Sequence, residues 1–202
     1  MANYYSTGSD GITRCSWPGN DELYISYHDH EWGFPEREDS KLFEKICLEG
    51  FQSGLSWLTI LRKRDNFRQA FSNFNLEIVS KFGEKEIVNL LHNEGIVRHE
   101  GKIRSVINNS QKALQLIEEQ GSLAHYFYSQ PELIEMNRTK TIIPSETEHS
   151  VELSKDLKRR GWTWIGPTTI YSFMQAMGVV NDHIHECEIR KIVELDRREF
   201  FS

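Results

Sequence analysis

The stretch from Tyr24 to Trp57 gathers Tyr24, Tyr27, Trp32 and Trp57 around His28 and Glu49. Rings at this density beside a carboxylate suit a slot for a flat heterocycle. Ring faces hold such a ligand by stacking, and the acid accepts hydrogen bonds from its polar edge. A positively charged nucleobase fits best, because both the π faces and the carboxylate attract a cation. The same residues also read as core aromatics and a helix-surface acid, and residue type alone does not separate the two.

A second constellation has metal-ligand character. His183 and Cys187 stand at i, i+4, a spacing that shares one face if the segment is helical. Cys15 and His28 lie far upstream in the chain. Together they make a Cys₂His₂ set that suits tetrahedral zinc. Four protein ligands leave no open position, so such a metal is structural. His30 and His185 compete for the same roles, and two unrelated pairs are the bland alternative. Cys47 falls on an apolar helix face and reads as core.

A third lies between two helical patterns, in the run Asn93 to Lys102 with Gly95 and Gly101. A short glycine-bearing turn aims the first N–H groups of the next helix outward, and these bind phosphate. Arg98, Lys102 and Arg104 add charge there. The pattern resembles a helix-hairpin-helix element, with Val97 where a second glycine is usual.

The elements that position these groups read as all-α. Apolar residues recur with helical period over Ser40–Gly50, Ser56–Arg64, Glu84–Asn93, Lys102–Gln120, Glu148–Arg160 and Thr169–Met177. Asp39 or Ser40 is the expected cap of the first. A charged amphipathic tail follows over 188–202, and residues 1–13 read as a loose extension. The connection 129–147, with Pro131 and Pro144, reads as irregular, with a possible helical turn at Leu133–Met136. No period-two alternation points to a sheet.

At 202 residues the chain suffices for one domain with a core of its own. No apolar run spans a membrane, and the polar start lacks the features of a secretory signal. Three cysteines make no disulfide framework, which fits a reducing cytoplasm. A net charge of −6 argues mildly against nucleic acid. Basic clusters at Arg62–Arg64 with Arg68, at Arg98–Arg104 and at Lys155–Arg160 argue locally the other way, although each also reads as a solvated helix face.

Longer motifs are more specific. Arg14-Cys15-Ser16-Trp17, Tyr24 through Gly33, Cys47 through Trp57, Gly95 through His99, Gly166-Pro167-Thr168-Thr169 and Val180-Asn181-Asp182-His183 occur in order. In these the chain resembles the type I, constitutive, 3-methyladenine DNA glycosylases of the helix-hairpin-helix superfamily. The resemblance covers 14–187 and leaves the two ends outside the shared pattern. It implies a zinc held by Cys15, His28, His183 and Cys187, joining the N- and C-terminal segments. It makes Glu49 the carboxylate of a pocket for the methylated base, with Tyr27 at the ring edge, Trp57 stacked, Tyr24 and Trp32 as walls and Trp17 near the mouth. It implies contacts to alkylated double-stranded DNA through Gly95, Arg98, Gly101 and Lys102, a second phosphate site at Thr168, and Leu55 as a wedge in the base stack. No aspartate occurs between Asp65 and Asp156, where related hairpin enzymes place one, so catalysis is expected to rest on the charged leaving group and Glu49. His99 stands where lyase-type relatives have lysine, which disfavours Schiff-base chemistry and implies a monofunctional hydrolase that leaves an abasic site. The expected partners are that DNA and 3-methyladenine as product, for a cytoplasmic monomer. A zinc-stabilised helical module that binds damaged DNA without cutting it is the alternative.

Overall fold

The computed structural model describes residues 4–129 and 143–202. The expected turn at Leu133–Met136 lies outside the described residues. The chain forms two compact units, one of Met1–Glu36, Pro131–Ser145 and Met174–Ser202, the other of Arg37–Gln130 and Glu146–Phe173. The architecture is mostly helical, as the apolar periodicity requires.

In the first unit, β1 (Tyr5–Thr7) pairs antiparallel with β2 (Thr13–Cys15), with Tyr5 opposite Cys15. The expectation of a loose extension and of no strand is thereby corrected. The loop closes because Asp10 accepts from the Ile12 N–H and pairs with Arg14. Helix α1 (Glu22–His30) starts at Asp21, whose carboxylate accepts from the Tyr24 N–H. The C-terminal helix α11 (Ile189–Phe201) buries Ile189, Val193 and Arg197. Arg197 donates to the carbonyls of Gly178 and Val179, so the charged tail is fastened to the segment before it. Cys15, Cys187, Ile189 and Val193 form a small buried cluster against Trp17, Phe34 and Ile184.

The second unit runs α2 (Asp39–Gln52), α3 (Trp57–Arg62), α4 (Arg64–Ala70), a 3₁₀ turn at Ser72–Phe74, α5 (Leu76–Val79), α6 (Glu84–His92), α7 (Glu100–Gln120), α8 (Leu123–Tyr128) and α9 (Glu148–Arg159). Helix α10 (Pro167–Ala176) follows. The core is built on α2 and α7 with a run of phenylalanines. Phe51 packs on Phe67 at 4.6 Å, and Phe71 on Phe74 at 5.5 Å between ring centroids. Asp39 does not cap its own helix through its side chain. It accepts from the Leu123 N–H at the start of α8, 2.8 Å away.

Candidate base and metal sites

Helix α2 carries a lysine and a glutamate inside its apolar stripe. Lys45 and Glu49 are both buried, 6% and 5% exposed. One helical turn apart, their Nζ and Oε1 lie at 3.0 Å. The Lys45 ammonium also sits 3.4 Å from the ring centroid of Trp57. Trp57 is the first residue of α3, set by Ser56, whose hydroxyl caps the helix by accepting from the Thr59 N–H. The turn before it bends at Gly54, where φ is +83° and a side chain is strained. Leu55 on this turn is 42% exposed, as a wedge would have to be. Burial pushes the Glu49 carboxyl above its ordinary 4.5, and Lys45 pulls it back down. A carboxylate and a π face thus converge on one positive charge.

Lys45 is absent from the residues singled out in the sequence. A lysine one turn from Glu49 within the stripe of Leu42 and Ile46 was the available signal.

The hairpin joins α6 to α7 through residues 93–99. Lys63 donates to the Glu94 and Gly95 carbonyls, and Asn93 accepts from the Gly95 N–H, so the turn is anchored rather than loose. The imidazole of His99 caps α7 by accepting from the Lys102 N–H. Gly101 stands in the first turn, where helical N–H groups lack carbonyl partners of their own. Arg98 is half exposed and pairs loosely with Glu94 at 3.5 Å. Lys102 requires a correction. Its side chain is buried and donates to the carbonyls of Phe51 at 2.8 Å and Ser53 at 2.6 Å. These belong to the end of α2, where helical carbonyls need donors. The ammonium is therefore turned inward and is not offered to a phosphate. Trp164, also missed in the sequence, is 41% exposed at φ +57° and packs edge-on against His99 at 5.1 Å. Thr168 lies exposed inside the first turn of α10, which begins at Pro167.

Of the basic clusters, Arg68 pairs with Glu44 and Asp65, and Arg160 with Asp156 and Glu119. Arg104 pairs with Glu84 and Glu100.

In the first unit the candidate ligands come together. Donor atoms of Cys15, His28 and Cys187 all lie within 4.8 Å of one another, and each residue is buried. Cys187 Sγ is 3.6 Å from His28 Nε2. His183 is 1% exposed, its ring centroid is 4.9 Å from that of His28, and its Nε2 is buried with no hydrogen-bond partner. The other ring nitrogens are held from behind: His28 Nδ1 by Asp29 at 2.7 Å, His183 Nδ1 by Asn181 at 3.0 Å. That arrangement leaves Nε2 of each ring as the lone-pair side, the usual support of a metal-bound histidine. The hydrogen bond with Cys15 pushes the Cys187 thiol down to about 4, while the same bond and burial push Cys15 up. A thiolate is the form that binds metal. Two thiols and two imidazoles suit tetrahedral zinc. His30 and His185 are exposed, and the geometry passes them over.

The route to this cluster differs from the expected one. His183 and Cys187 are not on a helix but in the irregular segment before α11. Asn181 shapes it by accepting from the His183 N–H at 3.3 Å and donating to the Arg190 carbonyl at 3.1 Å. Gly33 lets the chain pass close to His183, since a Cβ there would fall 3.0 Å from its Cε1.

Trp17, Tyr24, Tyr27 and Trp32 of this unit form one cluster. Trp17 meets Tyr24 at 4.8 Å, Trp32 at 5.2 Å and Tyr27 at 6.5 Å. Trp32 also packs on the His183 ring at 4.5 Å, so it supports the ligand cluster directly. Tyr27 and Trp32 are buried, and Trp17 and Tyr24 are half-buried.

A family model for methyladenine glycosylases matches residues 17–191. DNA-3-methyladenine glycosylase 1 of Escherichia coli K12 is 45% identical over 180 residues, covering 87% of this chain and 96% of the relative. The DNA-3-methyladenine glycosylase of Haemophilus influenzae is 41% identical, covering 87% and 96%. Among solved structures, 3-methyladenine DNA glycosylase I from Staphylococcus aureus, described for its recognition of 3-methyladenine, superposes with a TM-score of 0.81 at 32% identity, covering 88% of this chain and 96% of that one. On the extent of these matches, the chain belongs to the methyladenine glycosylase family.

Proposed function

We propose that this protein is a monofunctional DNA glycosylase that hydrolyses the N-glycosidic bond of 3-methyladenine in alkylated double-stranded DNA, releasing the base and leaving an abasic site. One observation carries the reading: the buried Glu49 carboxylate and the Trp57 ring face converge on a single cation. Methylation gives the purine a positive charge in DNA and makes it a good leaving group. Attraction to Glu49 is worth on the order of 4 kcal/mol at close range in a partly dry site, and a neutral purine forgoes most of it. Stacking on Trp57 adds roughly 1–3 kcal/mol without regard to charge. Glu49 therefore discriminates, and Trp57 holds. For Tyr27 at the ring edge, and for Tyr24, Trp32 and Trp17, the proposed roles towards the base are those the resemblance implies.

The connection at Gly95 acts as the hairpin of a helix-hairpin-helix fold, holding phosphate through N–H groups up to Gly101 with Arg98 beside them. The exposed start of α10 at Thr168 offers a second phosphate contact, and Leu55 fills the stack left by the flipped nucleotide. Cys15, His28, His183 and Cys187 hold a structural zinc, which ties the β2 end of the chain to the segment before α11. The three thiols and the lack, among the described residues, of a helix long and apolar enough to cross a membrane support work in a reducing cytoplasm. The protein acts as a monomer in this reading.

The deciding experiment is release of free 3-methyladenine from methylated DNA by purified protein. Release that is lost in Glu49→Gln supports the reading. Tight binding of the same DNA without release would instead favour a non-catalytic damage-binding module.

A further inference from the structure

Lys45 occupies the place that the proposed reading reserves for the base. An ammonium nitrogen 3.4 Å above the Trp57 ring centre stands at the height of a stacked heterocycle. At 3.0 Å from Glu49 Oε1 it also takes the acceptor that a purine amine requires. Neither contact survives if a ring slides between Trp57 and the carboxylate. The seat is built rather than incidental. The Lys45 side chain is 8% exposed and that of Glu49 5%, so the ammonium has given up most of its water in a seat that includes both partners. Its position follows from register, because residues 45 and 49 share one stripe of α2 and Trp57 opens α3 immediately after the turn.

We propose that Lys45 is an intramolecular competitor for the base slot, a cation carried by the protein that must withdraw before any purine can stack on Trp57 and reach Glu49. This rests on the assignment of the slot to Glu49 and Trp57. The consequence is a threshold. A resident competitor reduces the apparent affinity of every ligand by the fraction of time that it leaves the slot open, about tenfold if it is seated nine-tenths of the time. Strong and weak ligands are reduced by the same factor. The weak binder, an unmethylated purine, is pushed out of reach, while the strong one still enters. The ratio between them stays with Glu49. Lys45 also keeps Glu49 supplied with a counter-ion whenever no base is bound.

The test is the affinity of free 3-methyladenine and of adenine for wild type, Lys45→Met and Lys45→Arg. Each protein is compared at the tightest value it reaches between about pH 6 and about pH 9, since loss of Lys45 moves the Glu49 titration. Lys45→Met is expected to bind both bases about tenfold more tightly, by a common factor, and Lys45→Arg no more tightly than wild type. Unchanged or weaker binding of 3-methyladenine by a folded Lys45→Met, with its melting transition intact, overturns the proposal; weaker binding makes Lys45 a base ligand. Glu49→Gln measured in parallel keeps the two readings apart. If Glu49→Gln loses affinity and Lys45→Met gains none, the competitor is wrong and the slot stands. If Glu49→Gln binds like wild type, the slot itself is wrong.

Discussion

The ligand cluster of the first unit and the Lys45–Glu49–Trp57 cluster of the second both bury groups that prefer water, and they manage the cost in opposite ways. Cys15, His28, His183 and Cys187 are all electron-pair donors: the donor atoms of Cys15, His28 and Cys187 converge, the His183 ring lies against that of His28, and the two rings are braced from behind by Asp29 and Asn181. In the proposed reading such a set is completed by a cation from outside. The second cluster carries its own cation, on a flexible arm that can leave. The difference teaches where permanence and exchange are wanted. A rigid donor set with supported rings suits an ion bound for the life of the fold, whereas a tethered ammonium suits a place that must be vacated.

The contrast breaks most visibly at Cys187. Cys187→Ala is expected to lose bound zinc and to lower the melting midpoint by on the order of 10 °C, while Cys47→Ala, which removes a core thiol elsewhere, keeps its zinc. Elemental analysis with thermal unfolding checks both, and native protein without zinc would end the claim. A smaller effect is expected at Asp29, which receives His28 and also pairs with Arg14 at 2.7 Å. Asp29→Asn should weaken zinc affinity by about 10–100-fold in a chelator competition, because the bracing carboxylate is lost and the ligand itself is kept. Affinity equal to wild type would reduce Asp29 to a partner of Arg14 alone.

The smallest effect concerns pH in the second cluster. Burial raises the Glu49 carboxyl above 4.5, so the folded chain holds that proton more firmly than the unfolded chain does. Its contribution to stability is complete below 4.5 and is lost as the pH rises through the raised folded value. Relative to wild type, Glu49→Gln should therefore gain stability across that window, at up to about 1.4 kcal/mol per pH unit. Urea unfolding of both proteins in pH steps measures this, and a difference that does not change with pH would show that Lys45 fully offsets the burial.

What the sequence revealed and what it hid follow from the range of the interactions involved. Helical period was enough for α6, α7, α9 and α10, where the apolar residues recur on the buried side, and for α2, although α2 is buried all round from Lys45 to Phe51. The hairpin of β1 and β2 escaped because strands of three residues with an exposed face carry no alternation to read. Glu49, His28 and Cys187 were singled out through motif and residue type, and the structure shows all three buried. Lys45 was visible as a lysine in an apolar stripe but not as a charge stacked on Trp57, since that contact depends on how α3 leaves the turn at Gly54. Lys102 was misjudged for a related reason. Position on the hairpin suggested a phosphate, whereas the nearest unsatisfied acceptors were two carbonyls some fifty residues earlier.

That inward turn of Lys102 mechanically joins two tasks. By gripping the Phe51 and Ser53 carbonyls, the opening turn of α7 is pinned just past Glu49 and just before Leu55. In the proposed reading, a tilt that DNA imposes on the hairpin helix passes through this contact towards both Glu49 and Leu55. On that reading grip, reader and wedge shift as one lever, and a grip on misaligned DNA would carry the acid out of register with its base.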